Sequence, residues 1–319
     1  MIQSPKISVI MLTHNREKFL SRAIESILAQ DFTDFELIII DNNSMGNSGK
    51  IIAAYSKKDS RIRYFRRCDK SIGAGRNLGI EKSQGTFFTF VDDDDYAATD
   101  YLSFLHNLAA KHGADIAVCG SSYDINGKIK PKYTFDELSL CTRDQAVTNF
   151  LLRRYYNSGN ATKLFRKNGE ISEIRYPVHV QYDDIHTMYR FFAATGNQAV
   201  AVAAQGEAKY FVCRHGLNNS KAAKEHSTLS PEWLEEYLDA YRERTAYISR
   251  KMPNLSALAA WSEQSFMISM VEKINRYSIS ECAGYSELMR ENLRWSYDGF
   301  LAAEWTRDFE REWMETYVK

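Results

Sequence analysis

Four consecutive carboxylates, Asp92, Asp93, Asp94 and Asp95, close the apolar run Phe87-Phe88-Thr89-Phe90-Val91. Like charges about 4 Å apart repel by about 1 kcal/mol even in water, and by more against a protein surface. A buried strand that delivers four of them to one place therefore calls for a cation. Open carboxylates suit Mg²⁺ or Mn²⁺, which take their remaining ligands from water and phosphate; a solvated acidic loop or a helix N-terminus is the other reading of an Asp run. A second pair, Asp183-Asp184, opens a helix-like stretch at 185–194, where one carboxylate can cap the helix and the other is left to act as a base. Arg214 and His215 end the strand-like Tyr210-Phe211-Val212-Cys213, offering a cation for a diphosphate and an imidazole for a metal. Gly73-Ala74-Gly75-Arg76-Asn77-Leu78-Gly79, with an acid about 20 residues on, mimics a dinucleotide-binding fingerprint. Against that reading, residues 66–71 separate it from the preceding strand, and four acids exceed what a ribose needs.

These groups need elements to hold them, and the first third alternates strand and helix. Residues 7–12 read as a buried strand that breaks at Thr13-His14-Asn15-Arg16. Residues 17–30 carry Phe19, Leu20, Ala23, Ile24, Ile27 and Leu28 at helical spacing. A second strand at 35–40 ends in Asp41-Asn42-Asn43-Ser44, and helix 50–57, strand 61–65, a helix opening near Gly75 and strand 86–91 follow. Strand, helix, strand in this order reads as right-handed βαβ units in a doubly wound, mostly parallel α/β sheet, with ligands beyond the carboxyl ends of the strands. All the polar terminations fall on that edge. Further along, helix 100–112, strand 114–119, a hairpin at 122–132 around Asn126-Gly127 and helix 143–154 are expected. From Ser230-Pro231 onward the pattern is helical.

Composition narrows the function classes. Lys plus Arg and Asp plus Glu each number 41, giving zero net charge, which argues against nucleic-acid phosphates as partner. Five scattered cysteines without a C-x-x-C pair indicate neither a disulfide framework nor a zinc site, so a reducing cytoplasm is the natural home. The triplet Asn218-Asn219-Ser220 then carries no weight as a glycosylation acceptor. No apolar stretch approaches the roughly 18 to 20 residues of a membrane span.

The ordered segments Ile7-Ser8-Val9-Ile10-Met11-Leu12-Thr13-His14-Asn15-Arg16, Ile38-Ile39-Ile40-Asp41-Asn42-Asn43-Ser44, Ala74-Gly75-Arg76-Asn77-Leu78-Gly79-Ile80 and Val91-Asp92-Asp93-Asp94-Asp95 resemble the signatures of family 2 inverting glycosyltransferases with the GT-A fold. Lys163-Leu164-Phe165-Arg166 and Tyr182-Asp183-Asp184 resemble that family's later motifs, as found in bacterial surface-polysaccharide enzymes. The resemblance covers residues 5–220 and implies an enzyme that moves a sugar from a nucleotide diphospho-sugar to a hydroxyl of a saccharide or lipid-linked saccharide. With the helical pattern of the tail, it leads to a catalytic domain at 1–225, divided near 98 into nucleotide-sugar and acceptor halves, and a helical extension at 226–319.

By the same resemblance Thr13, His14, Asn15 and Arg16 line the nucleotide pocket, His14 standing where a Tyr often stacks on uracil. Asp41 and Asn42 meet the base; Asn42 replaces a usual Asp, and its amide oxygen can still accept a hydrogen bond, which keeps a uridine donor as the expectation. Arg76 meets the phosphate or sugar side of the donor, while Arg214, on its residue type and place alone, is the further cation open to the diphosphate. Asp92-x-Asp94 matches the DXD motif, so Asp92 lies by the ribose beside Asp93, while Asp94, with Asp92, holds Mn²⁺ or Mg²⁺; His215, on its residue type alone, is a further candidate ligand for that ion. Asp184 matches the catalytic base, and Asp183 is the other carboxylate open to that role. In the tail, Trp305, Phe309 and Trp313 recur every four residues along an expected helix at 302–318. That stripe packs on the catalytic domain, or it lies on the inner face of a membrane near a lipid-linked acceptor, or it pairs with a second copy of the chain.

Overall fold

The structure, a computed structural model, describes residues 4–215 and 229–319. It divides into two compact units, 1–215 and 216–319. The expected boundary near 225 and the triplet beginning at Asn218 lie outside the described residues.

The first unit opens with β1 (Ile7–Thr13), α1 (Glu17–Leu28), β2 (Phe35–Asp41), α2 (Ser48–Ser56), β3 (Ile62–Arg66), α3 (Ile72–Lys82) and β4 (Phe87–Asp92). β1 runs parallel to both β2 and β4, and β2 parallel to β3. Strand β1 is apolar without alternation because both of its faces are covered. Val9 and Met11 share one core with Leu20, Ile24 and Ile27 of α1, while Ile10 meets Gly79 of α3. The register sets Thr13 beside Asp41 and Leu12 beside Asp92, so three strands end their apolar runs at one level.

The remainder of this unit comprises β5 (Tyr96–Ala97), α4 (Tyr101–His112), β6 (Ile116–Ile125), β7 (Lys128–Tyr133), β8 (Leu138–Cys141), α5 (Arg143–Leu151), β9 (Lys163–Arg166), α6 (Asp183–Ala193) and β10 (Val202–Cys213). The sheet order is β3-β2-β1-β4-β9-β6-β10-β5, with β7 beside β6 and β8 beside β10. Short β9 lies antiparallel between β4 and β6 and joins the two halves of the sheet. The strand expected at 114–119 continues to Ile125 and enters the hairpin through Asn126 and Gly127, both at positive φ (54° and 82°), as a two-residue turn of matching twist requires. On the face opposite α1, Phe88, Phe165 and Phe191 stack with centroids 4.6 to 6.1 Å apart, fixing α6 against β4 and β9. That packing brings the start of α6 to the sheet edge where β4 ends.

The second unit is helical: α7 (Pro231–Lys251), α8 (Ser256–Arg276), α9 (Ala283–Trp295), α10 (Tyr297–Ala302) and α11 (Asp308–Tyr317). Ser230 caps α7, its hydroxyl accepting from Trp233 N at 3.3 Å. The single helix expected at 302–318 is broken. α10 ends at Ala302, and Thr306 takes the Trp261 indole N–H at 2.8 Å and gives its own proton to Phe300 O. Trp305 stands between the two helices and lies 6.1 Å from Trp261 of α8. α11 buries Glu310 and Met314, while Phe309 is 41% exposed, so its inward face is not the aromatic stripe. Among the described residues no helix is long and apolar enough to cross a membrane.

Candidate active site

The turn after β1 is tied to the turn after β2. His14 Nδ1 lies 2.8 Å from Asn42 O and its Nε2 3.1 Å from Asn15 Nδ2, so both ring nitrogens are engaged and the ring face is what remains for a ligand. Asn15, at φ 53°, accepts from Met45 N and donates its own N–H to Ser44 Oγ. Asp41 is buried and held from two sides, accepting from Ser44 N at 2.7 Å and from the Tyr64 hydroxyl at 3.1 Å. It is therefore a brace of the loop. Asn42, also buried, keeps its Oδ1 without a hydrogen-bond partner, as does the Thr13 hydroxyl. Unmet polar atoms at a strand end await a ligand or water.

The glycines of α3 serve packing. Ser71 caps that helix at Ala74 N, and its hydroxyl donates to Val178 O at 2.6 Å. A Cβ on Gly73 would meet Pro177 O, one on Gly75 would meet the Asn42 amide, and one on Gly79 would meet Ile10. The dinucleotide reading fails on this ground, since the close approaches are filled by protein and the helix start is already capped.

The acidic turn is differentiated. Asp95 is buried and accepts from Cys213 N at 2.8 Å, linking the turn to β10; burial, with repulsion from Asp92 and Asp94, holds its carboxyl well above the usual range. Asp93 is pushed up to about 8, chiefly by burial, with the nearby Thr13 hydroxyl pulling it back down, and its Oδ2 makes no geometric hydrogen bond. Asp94 Oδ2 lies 3.0 Å from His215 Nε2 and 3.9 Å from Arg16, whose Nε is 4.0 Å from Asp93. The His215 ring stacks on Phe19 at 4.1 Å, so the imidazole is held in place on Asp94. Asp92 is exposed, yet burial in the surrounding protein raises its carboxyl, the combination expected on the floor of a crevice. Among the described residues no three His, Cys, Asp or Glu side chains gather into a self-sufficient metal site. A carboxylate pair of this kind suits a hard divalent ion that draws ligands from water and phosphate.

Facing this turn is the start of α6. The helix begins at Asp183, two residues before the expected position, with no side-chain cap from Tyr182. Asp183 is buried and paired, Arg76 Nε donating to its Oδ2 at 2.9 Å. The Arg76 guanidinium lies 5.1 Å from the Phe90 ring and 5.6 Å from that of Tyr176, and the Tyr176 hydroxyl donates to Asn160 at 2.6 Å. Asp184 Oδ1 accepts from Ile185 N at 2.9 Å, and burial, then repulsion from Asp183, push its carboxyl up to about 6. A carboxylate that titrates there is poised to accept a proton near neutrality.

Arg214 stands apart from its neighbour His215. Its guanidinium lies 4.4 Å over the Tyr123 ring of β6, and the Arg214 backbone N–H donates to Asp124 O. Sequence reading missed several supports. The Tyr210 hydroxyl accepts from Asp92 N at 3.0 Å, Arg22 donates to Asp94 O at 3.0 Å, and Lys163, fully buried, donates to Gly159 O at 2.5 Å. Burial brings the Lys163 ammonium down to about 7. Lys163 sat inside a recognised motif, whereas no spacing marks Tyr210 or Arg22.

The family model described as glycosyl transferase family 2 matches residues 8–174, more than half of the chain, and spans every element of the site except α6 and β10. The chain belongs to glycosyl transferase family 2. Among curated relatives, the glycosyltransferase GlyA of Streptococcus pneumoniae is 34% identical over 126 residues, 40% of this chain and 18% of that protein. The GalNAc(5)-diNAcBac-PP-undecaprenol beta-1,3-glucosyltransferase of Campylobacter jejuni is 41% identical over 107 residues, 33% of this chain and 35% of that enzyme. The matches thus span about a third or less of either relative. Among solved structures, the UDP-GlcNAc complex of the S. aureus TarS 1–349 fragment aligns with TM-score 0.63 at 19% identity, covering 92% of this chain and 89% of that one. That likeness establishes the shared glycosyltransferase fold for this family 2 member.

Proposed function

We propose that this family 2 chain transfers a sugar from a UDP-sugar to a hydroxyl of a saccharide or lipid-linked saccharide acceptor, in one displacement with inversion. The observation that carries the reading is the meeting, at one sheet edge, of an acidic turn and a carboxylate from a different segment that titrates near 6. Such a reaction needs charge stabilisation for the leaving diphosphate on one side of the sugar and a proton acceptor on the other.

Asp184 takes the proton of the acceptor hydroxyl, a contribution of about 10² to 10⁴ in rate. Asp183, neutralised by Arg76, keeps that guanidinium oriented toward the donor. Thr13 and Asn42 present unmet polar atoms to the base, and the His14 ring face offers a stacking surface. Asp92 and Asp94, with His215 beside Asp94, would hold Mn²⁺ or Mg²⁺, and four adjacent carboxylates, one of whose buried oxygens (Asp93 Oδ2) makes no geometric hydrogen bond, support that fit. When bound, the ion supplies Lewis-acid stabilisation of the leaving diphosphate.

A panel of nucleotide sugars, assayed with Mn²⁺ or Mg²⁺ for transfer and for the anomeric configuration of the product, tests the proposal. UDP with Mn²⁺ is expected to raise Tm, and NAD is not. A retained configuration, or stabilisation by NAD alone, overturns it.

A further inference from the structure

The hairpin that borders the acidic turn carries a cation with no assigned task. Ser121 of β6 pairs with Tyr133 and Ser122 with Pro131, so Lys132 is the extra residue of a β-bulge. Bulges re-aim one side chain and recur beside active sites. Here the Lys132 ammonium lies 5.3 Å over the Tyr123 ring, the same ring that carries the Arg214 guanidinium at 4.4 Å. No carboxylate among the described residues lies within ion-pair distance of Lys132. Burial lowers its affinity for the proton and Arg214 acts the same way, while Tyr123, Asp95 and Asp92 attract the charge from farther off. Two cations held against one aromatic ring, with Asp92 near enough to attract Lys132, repel one another until an anion joins them.

We propose that Lys132 is a phosphoryl-binding residue of this site and forms with Arg214 a two-cation seat for a phosphate group of the substrates. The inference rests on the reading that the crevice takes a nucleoside diphosphate sugar. A phosphate can arrive as the donor's diphosphate or on a phosphorylated acceptor, and the chemistry of the seat is common to both. Tyr123 packs against both cations, and the bulge takes Lys132 out of the regular ladder within electrostatic reach of Asp95 and Asp92.

The test compares wild type, Lys132→Met and Lys132→Arg by calorimetry with Mn²⁺ present. The probes are UDP, uridine, and glycerol 3-phosphate added to UDP-saturated protein. A charge-assisted hydrogen bond corresponds to about tenfold to hundredfold in affinity. If the seat takes the donor, Lys132→Met weakens UDP by that factor, leaves uridine unchanged, and Lys132→Arg restores most of the loss. If it takes the acceptor, UDP is unchanged and glycerol 3-phosphate is the ligand lost. Equal affinities in wild type and Lys132→Met for both phosphates overturn the proposal, as does a parallel loss of UDP and uridine, which marks a structural role. Failure of the wild type to bind UDP overturns instead the functional reading on which the inference rests.

Discussion

Arg76 Nε sits 2.9 Å from Asp183 Oδ2, and this one contact separates the roles of two adjacent carboxylates. Asp183 is buried and neutralised by a guanidinium that is itself held over Phe90 and Tyr176. Asp184, one residue on, lacks that pairing and is pushed up to about 6. A helix start that presents one fixed and one titratable carboxylate to the same crevice divides orientation from proton transfer.

Asp184 therefore sets the acid limb of the pH profile. With its carboxyl near 6, kcat/KM is expected to fall tenfold per pH unit below about 6 and to level off above it. Asp184→Asn should keep the fold and donor affinity, lose about 10² to 10⁴ in turnover and abolish that limb. Stability carries a second signature. A carboxyl whose folded value lies above the ordinary range of about 3.9 binds its proton more tightly when folded, so it costs stability as pH rises from about 4 to 6. Asp184→Asn should thus melt above wild type at pH 7.5, and the gap should close below pH 4. Near-normal turnover in Asp184→Asn would move the base to Asp183.

Arg76→Met leaves Asp183 buried without its partner, which costs about 3 to 5 kcal/mol in comparable pairs. Denaturant unfolding should register that loss, and adding Asp183→Asn to the same chain should recover most of it, because the uncompensated charge is gone. Arg76 also draws the Asp184 carboxyl down, so its removal should shift the acid limb of any residual activity to higher pH. Additive losses in the double variant would contradict the pairing.

Chelation should abolish transfer, and Mn²⁺ or Mg²⁺ should restore it. Asp92, Asp93 and Asp95 are all raised by burial and by the charge of Asp94, which a divalent ion would offset. A divalent ion should accordingly raise Tm in wild type. In Asp94→Asn the same ion should neither restore activity nor raise Tm to the same extent. Full turnover after exhaustive chelation would remove the metal from the mechanism.

Strands that end in polar residues were readable because β1, β2 and β4 are covered on both faces, which leaves apolar runs that stop abruptly at Thr13, Asp41 and Asp92. The same logic hid β9 and β5, whose four and two residues are too few to carry a period. The Asp184 environment was not legible, since it depends on the stacking of Phe165 and Phe191 that brings α6 to β4. Lys132 escaped notice because a bulge is a property of pairing between strands and leaves no mark on spacing within one. In the tail the four-residue recurrence of Trp305, Phe309 and Trp313 suggested one helix, but the Thr306 hydrogen bonds to Trp261 and Phe300 interrupt it.

Two alanine substitutions on one helix should separate ligand binding from packing. A Cβ on Gly75 would lie 2.7 Å from Asn42 Oδ1, 2.9 Å from its Nδ2 and 2.9 Å from Leu12, forcing the Asn42 amide out of place. A Cβ on Gly79 would lie 2.3 Å from Ile10 Cγ2, a core methyl with no polar role. Both changes gain about 1 kcal/mol of helix propensity and lose about 1 to 3 kcal/mol to overpacking. Their effects on Tm should therefore be small and alike. Their effects on UDP should differ: Gly75→Ala weakens binding at least tenfold because it moves the unmet Asn42 oxygen, while Gly79→Ala leaves it within twofold. Equal UDP affinity in the two variants would remove Asn42 from the base pocket and leave Thr13 and the His14 ring face as its polar and stacking contacts.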